Sequence, residues 1–564
     1  MQRWMRYGTC LLLWSLTWGL CSHALGAEPA DAIPDTASLV VRFKSPKAAL
    51  GKLAGFVDAV QPGFGDAVTS SLPGLGQAIG NPGLTGVDTE KDLWAVVFAQ
   101  PQAMPLVVFI VTAKDVDDVK DGLPSNYEVH VSGKLVAYSE HEDALGEIRE
   151  RLDGEGKALL STIDAATKKL FDSADVSVLV NVKQLTEDFS DELDQAEPQL
   201  NAFIDQLVAA LPEAQRPQLE PAFGLYRALG ASILNGIRDT ESYALGVTFS
   251  KTAIRIEDRL QVEDGSSTAD YFAKQAPGDL ALMGTLPTGK PVYFGLKADM
   301  SSLIEWSMKL TREMLKGTSD DQQAKFDEAV AEMSKLKYEE MGMYLDIGKT
   351  APAFRGGGVT LVTPGNKLRD ISRKLLATMG KIETAGFTQT TKLEPAAEKI
   401  GGFEADRITI QQEFDESADP TGMQKKMHAI MFGEGGMEQL MVYQANRTLQ
   451  TLGGKKEMQD LITAVEANKS PDAAFTAARK RFSDKLNLLV LFDLAQIIQG
   501  VATLAADSGA IPIDMTALKG LKLDPAYVGF SITIEPTAAR AQLEVPVQQV
   551  QNIMKIVSLV GPPR

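Results

Sequence analysis

Five segments in the first half of the chain recur, in the same order, in the second half. Unrelated half-buried strands resemble one another by chance, but five matches in one order favour an internal duplication. The most similar pair, 252–255 and 537–540, keeps threonine, alanine and arginine at matching positions. The chain is therefore predicted to fold as two related halves. The paired segments are 39–44 with 292–297, 109–112 with 360–363, 129–148 with 442–461, 179–185 with 491–497, and 247–255 with 532–540.

Each half is predicted to be an α+β structure. Strand-like segments alternate with long amphipathic stretches, and the strands also occur in close pairs. This favours an antiparallel sheet, with a curved sheet as an open alternative, and long helices packed on one face. The turn-forming residues 275–278 place the boundary near residue 279, giving halves 27–279 and 280–564. The separation between paired segments grows by about 60 residues along the second half, so an insertion is expected near 372–441.

The N-terminus has the pattern of a secretory signal peptide over residues 1–26. Arg3 and Arg6 precede an apolar run at 10–20, and small residues follow at 24–26. Eleven apolar residues are too few to cross a bilayer about 30 Å thick, so no membrane span is predicted after cleavage. The mature chain is expected in the periplasm or outside the cell.

Both cysteines of the chain, Cys10 and Cys21, lie within the predicted signal. The mature protein would therefore have neither disulfides nor thiolate metal sites. Lipid attachment at Cys21 is an alternative, but the preceding Trp18 departs from the small-residue pattern that such processing requires. The net charge of −18 disfavours nucleic acid and anionic lipid headgroups as partners.

The motifs of common exported hydrolases are absent from the sequence. The three histidines of the mature chain, His130, His141 and His428, lack the spacing of a zinc site. The segment 342–350 ends in Gly-Lys-Thr but has five residues between its glycines, where a phosphate-binding loop has four, so a strand followed by a turn is favoured. The three glycines at 356–358 are expected in a loop or bulge.

An unusual segment of methionines lies in the predicted insertion. On a helix, Met423, Met427 and Met431 would share one face, with His428 beside them. Thioether sulfur and imidazole are suitable ligands for Cu(I), whereas a flexible methionine face can also line an apolar groove. Ordinary core packing is the favoured interpretation, so no metal or cofactor is assigned.

The turn Ile33-Pro34-Asp35-Thr36-Ala37, which enters an extended strand, resembles a group of large exported bacterial proteins of unknown function with duplicated α+β halves. This resemblance supports export and implies no known activity. The sequence therefore predicts a non-catalytic exported or envelope protein that binds a protein partner or an apolar small molecule in a cleft between its halves. Two alternatives stay open: a hydrolase that acts through carboxylates, and a Cu(I)-handling protein.

Overall fold

A computed structural model describes residues 29–211, 216–301, 320–348, 351–378, 380–384, 387–414, 419, 421–467, 472–507 and 516–560. The chain divides into two compact units. The N-terminal unit consists of Met1–Leu200, Gly230–Phe272 and Pro536–Gln548. The C-terminal unit consists of Asn201–Leu229, Ala273–Glu535 and Gln549–Arg564. Each unit is a mixture of helices and antiparallel strands.

The strands of the N-terminal unit form an antiparallel sheet. They pair in the order β4-β5-β3-β2-β1-β6-β7-β8-β19, so a strand from the C-terminal part of the sequence pairs with β8. Their bounds are β1 (Leu39–Phe43), β2 (Leu93–Phe98), β3 (Leu106–Thr112), β4 (Glu128–Ser132), β5 (Leu135–Ser139), β6 (Val176–Asn181), β7 (Thr240–Phe249), β8 (Ala253–Val262) and β19 (Ala538–Pro546).

Several helices of this first part of the chain begin at a side chain that accepts a hydrogen bond from the first turn. Asp115, Asp164 and Asn181 have this role, as expected for Asp and Asn at helix starts. The helices are α1 (Pro46–Val60), α2 (Gly65–Thr69), α3 (Leu72–Ala78), α4 (Val116–Asp121), α5 (Glu142–Leu152), α6 (Ala165–Ser173), α7 (Val182–Asp188), α8 (Ser190–Ala210), α9 (Arg216–Arg238) and α10 (Ser267–Phe272).

The sequence predicts helices on one face of each sheet, but in the N-terminal unit helices pack on both faces. Around β2, β3 and β5 both faces of the sheet are covered. Leu145, Ile148 and Phe171 of α5 and α6 pack on one face, whereas Ile79 and Val119 pack on the other. The reason is that β2 and β3 are continuous apolar runs, and such strands require burial on both sides.

The strands of the C-terminal unit also form an antiparallel sheet. They pair in the order β12-β13-β14-β15-β16-β11-β10-β9-β17-β18. Their bounds are β9 (Val292–Leu296), β10 (Lys337–Ile347), β11 (Phe354–Thr363), β12 (Lys381–Thr384), β13 (Phe387–Ile400), β14 (Phe403–Phe414), β15 (Met437–Tyr443), β16 (Arg447–Leu452), β17 (Leu488–Phe492) and β18 (Val528–Glu535).

Most of the core of the C-terminal unit lies on one face of this sheet, where Met458 and Phe475 of two helices cover Tyr293. On the other face, Ile371 of a further helix packs against Val362 of β11. In the part of the chain that the structure describes, no helix has the length and apolar character needed to cross a bilayer. The helices are α11 (Asp320–Met333), α12 (Gly365–Thr378), α13 (Met423–Phe432), α14 (Lys455–Ala467), α15 (Ala473–Arg479), α16 (Leu494–Asp507), α17 (Thr516–Gly520) and α18 (Val547–Val560).

The three glycines at 356–358 correct a sequence expectation, because they lie inside strand β11 and not in a loop. They pair with β10 on one side and β16 on the other. A Cβ atom at Gly357 would lie 3.0 Å from the Tyr344 ring and 3.1 Å from Thr451. The glycines therefore let a central strand approach large neighbours closely, a use of glycine that leaves no signal of its own in one sequence.

Candidate ligand-binding surfaces

The face of the C-terminal sheet opposite its core carries a continuous apolar surface, which we name the C-terminal apolar face. Eleven side chains from the neighbouring strands β10, β9, β17 and β18 form it in three cross-strand rows. Ten of them are half-buried, and Met343 is 44% exposed. The rows are Leu345–Val292–Phe492, Met343–Phe294–Val490–Phe530 and Met341–Leu296–Leu488–Ile532.

The alternation of side chains along each strand produces this face. In β9 and β17 the intervening residues, such as Tyr293 and Leu489, point into the core and are fully buried. A strand with one wet face normally alternates apolar with polar residues, whereas these strands are apolar on both sides. Apolar surface that stays in contact with water costs about 25 cal/mol of free energy per Å². A contiguous exposed apolar surface of this kind therefore indicates a binding site.

Helix α16 borders the C-terminal apolar face. Its Gly500 packs closely against Ile347 at the end of β10, since a Cβ atom there would lie 3.1 Å from the Ile347 side chain. Ile498 and Val501 of the same helix are 39% and 47% exposed. The helix therefore places two more apolar side chains beside the sheet.

The N-terminal unit has a comparable surface, which we name the N-terminal apolar face. It lies on β6, β7, β8 and β19, and all of its side chains are half-buried. Asp258 is the one charged member, opposite Leu245 of β7 and Ala541 of β19. The members are Val178, Val180, Tyr243, Leu245, Ile256, Asp258, Leu260, Ala539, Ala541 and Leu543.

A polar cleft of ≈ 460 Å³ lies near the start of α8. Glu187 and Asp194, from the acidic run that follows β6, line it together with Arg238. The Arg238 guanidinium donates to Asp194 Oδ1 at 3.0 Å. One of the two carboxylates is therefore already paired with a cation, which suits a structural ion pair better than an acid–base pair.

The buried carboxylate of Glu340 lies on β10, directly beside Met341 of the C-terminal apolar face. It is 7% exposed, and its Oε1 accepts a hydrogen bond from the Leu282 N–H at 2.6 Å. Burial raises the pKa of Glu340 above its ordinary value of 4.5, and the Asp279 charge adds to this, whereas the Leu282 N–H and Lys297 oppose it. The Glu340 carboxylate thus accepts a hydrogen bond from the first turn of the short helix Ala281–Thr285. This contact places a charged group among apolar side chains.

We expect Glu340→Gln to stabilise the protein at neutral pH. The raised pKa means that the Glu340 carboxyl group binds its proton more tightly in the folded protein than in the unfolded chain. Loss of this proton therefore lowers the free energy of unfolding as the pH rises from 4.5 through the folded-state pKa. Glutamine keeps the acceptor for Leu282 and removes the charge. Thermal unfolding from pH 4 to pH 8 should show a higher Tm for the variant at pH 7 and convergence with wild type below about 4.5. A variant that is less stable at pH 7 would contradict this assignment.

The methionine segment forms helix α13 in the predicted insertion. Met423 and Met427 are 54% and 42% exposed on one side of the helix. The His428 ring lies 6.0 Å from the Phe414 ring and 5.0 Å from the Phe432 ring, and burial lowers its pKa. The imidazole is thus turned towards aromatic neighbours, while the two thioethers face solvent. Cu(I) binding by Met423, Met427, His428 and Met431 stays a prediction.

The remaining sequence candidates do not come together in a site. His130 lies in strand β4, and His141 precedes helix α5. Gly342 lies inside strand β10, paired with Val359 and Gly295, so the backbone there forms a sheet ladder and cannot curl around a phosphate. Among the described residues there is no group of three or more histidine, cysteine, aspartate and glutamate side chains placed to hold a metal ion.

Helices α8 and α9 expose a further apolar surface. Tyr226, Leu229, Ile233 and Ile237 lie along one side of α9, and they are 59%, 38%, 62% and 37% exposed. Arg227, which follows Tyr226 in the helix, donates to Asp205 of α8 at 2.7 Å. The spacing of 3, 4 and 4 residues is the sequence signal of this stripe, and it is not among the expectations stated above.

Comparisons with known proteins place the chain in no family. No family model matches it, and no curated protein matches it. Among solved structures, crystal forms III and I of TP0453 align with 49% of this chain and 97% of TP0453 at 8% identity. Their TM-scores are 0.22 and 0.20, too low to support an argument about fold or function. The resemblance to exported bacterial proteins therefore stays a prediction.

Proposed function

We propose that this protein is a non-catalytic exported or envelope protein that binds an apolar small molecule on its C-terminal apolar face. The observation that carries the proposal is the composition of that face. Its three rows contain eleven apolar side chains and no charged one, yet they keep access to solvent. An apolar ligand would remove this surface from water, which is the main source of affinity for such molecules.

The chemistry of the face also limits the ligand class. Met341 and Met343 offer flexible, polarizable thioethers, while Phe294 and Phe530 offer aromatic rings in the same or the neighbouring row. Methionine adapts to ligands of different shape, and aromatic rings supply large contact areas. We therefore expect a neutral aliphatic or aromatic ligand, selected by size and hydrophobicity more than by hydrogen bonds.

The proposal is tested by titrating the purified chain with the neutral fluorescent probe N-phenyl-1-naphthylamine. Met343→Glu places a charge in the middle row and should weaken binding by about tenfold or more, because the face then retains water. Met423→Glu is the matched control, since Met423 is also exposed but lies on α13, outside the face. Circular dichroism should show both variants folded.

Two results would overturn the proposal: no saturable binding by wild type, or an equal loss of affinity in both variants. Native mass spectrometry of the protein from an exporting host complements the titration. A mass adduct that is lost on denaturation and is absent from Met343→Glu would support a carried ligand at this face.

A protein partner is the second candidate, because helix α9 exposes its apolar stripe to solvent. Docking of a partner there predicts that Ile233→Glu abolishes association and leaves probe binding unchanged. The polar cleft gives little support to the hydrolase alternative, because one of its two carboxylates, Asp194, is already paired with Arg238.

We also infer that the two units share an ancestral repeat. The order β4-β5-β3-β2-β1-β6-β7 corresponds, strand for strand, to β15-β16-β11-β10-β9-β17-β18 under the paired sequence segments. Asn181 accepts from the Gln184 N–H at 3.3 Å, and Asp493 accepts from the Gln496 N–H at 3.1 Å, at matching positions. The extra strands β12, β13 and β14 lie within the expected insertion.

A further inference from the structure

Strand β8 contains one carboxylate where its pattern calls for an apolar residue. Its side chains alternate between two faces, with Ile256 and Leu260 on the N-terminal apolar face and Arg255 and Arg259 on the other. Asp258 lies on the apolar side of this alternation. Under the proposed repeat the matching position is Leu543, so an apolar residue fits the same place in a strand.

The residues that the sheet places next to Asp258 on the same face are all apolar. Leu245 and Ala541 lie opposite it on the flanking strands, and Ile256 and Leu260 lie two residues away along β8. Charges that point inward are common on edge strands, where they prevent aggregation. This explanation does not apply here, because β8 is paired on both sides.

The carboxylate has little compensation within the protein. Its Oδ1 accepts a hydrogen bond from the Ala541 N–H at 3.2 Å. Across the described ranges of the chain, Asp258 takes part in no ion pair with lysine or arginine. Burial raises its pKa, with the Ala541 N–H opposing that change. Tyr243 is the titratable neighbour on this face, and burial followed by the Asp258 charge raises the pKa of Tyr243 to about 12.

We propose that the N-terminal apolar face binds a cationic amphiphile, an aliphatic or aromatic body that bears one protonated amine, with Asp258 as its counter-ion. Charge complementarity selects this occupant. A neutral apolar molecule would leave the carboxylate unpaired under the ligand, and an anionic lipid or fatty acid would meet like charge. An ammonium group seated on Asp258 supplies the missing partner while its chain covers the surrounding apolar side chains.

This inference concerns a different face from the proposed function and does not depend on it. It is tested by isothermal titration calorimetry of the full mature chain with decylammonium and with decanol, which share one chain length and differ in charge. Wild type should bind decylammonium about tenfold or more tightly than decanol. Asp258→Asn keeps the side-chain shape and should abolish that preference while decanol binding persists.

The matched control is Glu257→Gln, which removes an acidic charge from the adjacent residue on the opposite face of the same strand. It should retain the preference for decylammonium. Asp258→Leu, the residue at the matching repeat position, should bind decanol more tightly and should show no preference for the amine. Equal affinities of wild type for the two probes, or a preference that survives Asp258→Asn, would overturn the inference. Because Met343→Glu tests the other face, the two proposals can fail separately.

Discussion

Replacing Arg373 with methionine is expected to destabilise the C-terminal unit by about 3–5 kcal/mol, because it leaves a buried carboxylate without its partner. Arg373 of α12 donates to both oxygens of Asp406 on β14, at 2.7 and 2.6 Å. Asp406 is 1% exposed, and its Oδ1 also accepts from the Ala396 N–H at 2.8 Å. The Arg373 side chain is itself 31% exposed, so the low end of this range is expected.

The measurement is urea unfolding followed by circular dichroism, together with hydrogen exchange of the β14 amides. Lys374→Met is the matched control on the same helix. The Lys374 ammonium pairs with Glu328 at 3.3 Å, but its side chain is 48% exposed, so little change is expected. The double variant Arg373→Met/Asp406→Leu should recover part of the loss. Equal effects of Arg373→Met and Lys374→Met would refute the assigned role of the buried pair.

Asp493→Ala is expected to cost about 3 kcal/mol, the sum of a lost helix cap and a stranded buried donor. Asp493 is fully buried between strand β17 and helix α16. Its carboxylate accepts from the Gln496 N–H at 3.1 Å, from Gln496 Nε2 at 2.8 Å and from the Ala526 N–H at 3.0 Å. Alanine removes the acceptor for all three donors at once.

Asp493→Asn provides the control for this prediction. Asparagine caps helices as well as aspartate does and retains one acceptor oxygen, so its cost should be clearly smaller. Asn181→Ala, before α7, should also have a smaller effect, because Asn181 is half-buried and carries no charge. Its side chain accepts from the Gln184 N–H and donates to the carbonyls of Asp35 and Ala37, which bind water once the side chain is gone. Chemical unfolding of the three variants measures these differences. A loss for Asp493→Asn as large as for Asp493→Ala would show that charge, and not acceptor geometry, sets the cost.

Some of the candidate binding surface was accessible from sequence. The alternation in β8 was readable in the residues 254–262, and the carboxylate that interrupts it was visible there as well. Which face of the strand stays open to solvent was not readable, because alternation is the same whichever side is covered. Likewise, the four strands that form the C-terminal apolar face come from segments far apart in the chain, from Val292 to Ile532. Their adjacency is a property of the pairing alone.

The sequence by itself determined the local elements of this protein: the α+β composition, the short strands, and the helix starts at Asn181 and Asp493. These follow from periodicity and capping, which act within a few residues. Only the tertiary structure decided that β19 pairs with β8, that 356–358 form part of a strand, and that two apolar sheet faces keep access to solvent. Those outcomes depend on which distant segments pack together. Local sequence patterns do not specify that pairing, because they extend over only a few residues.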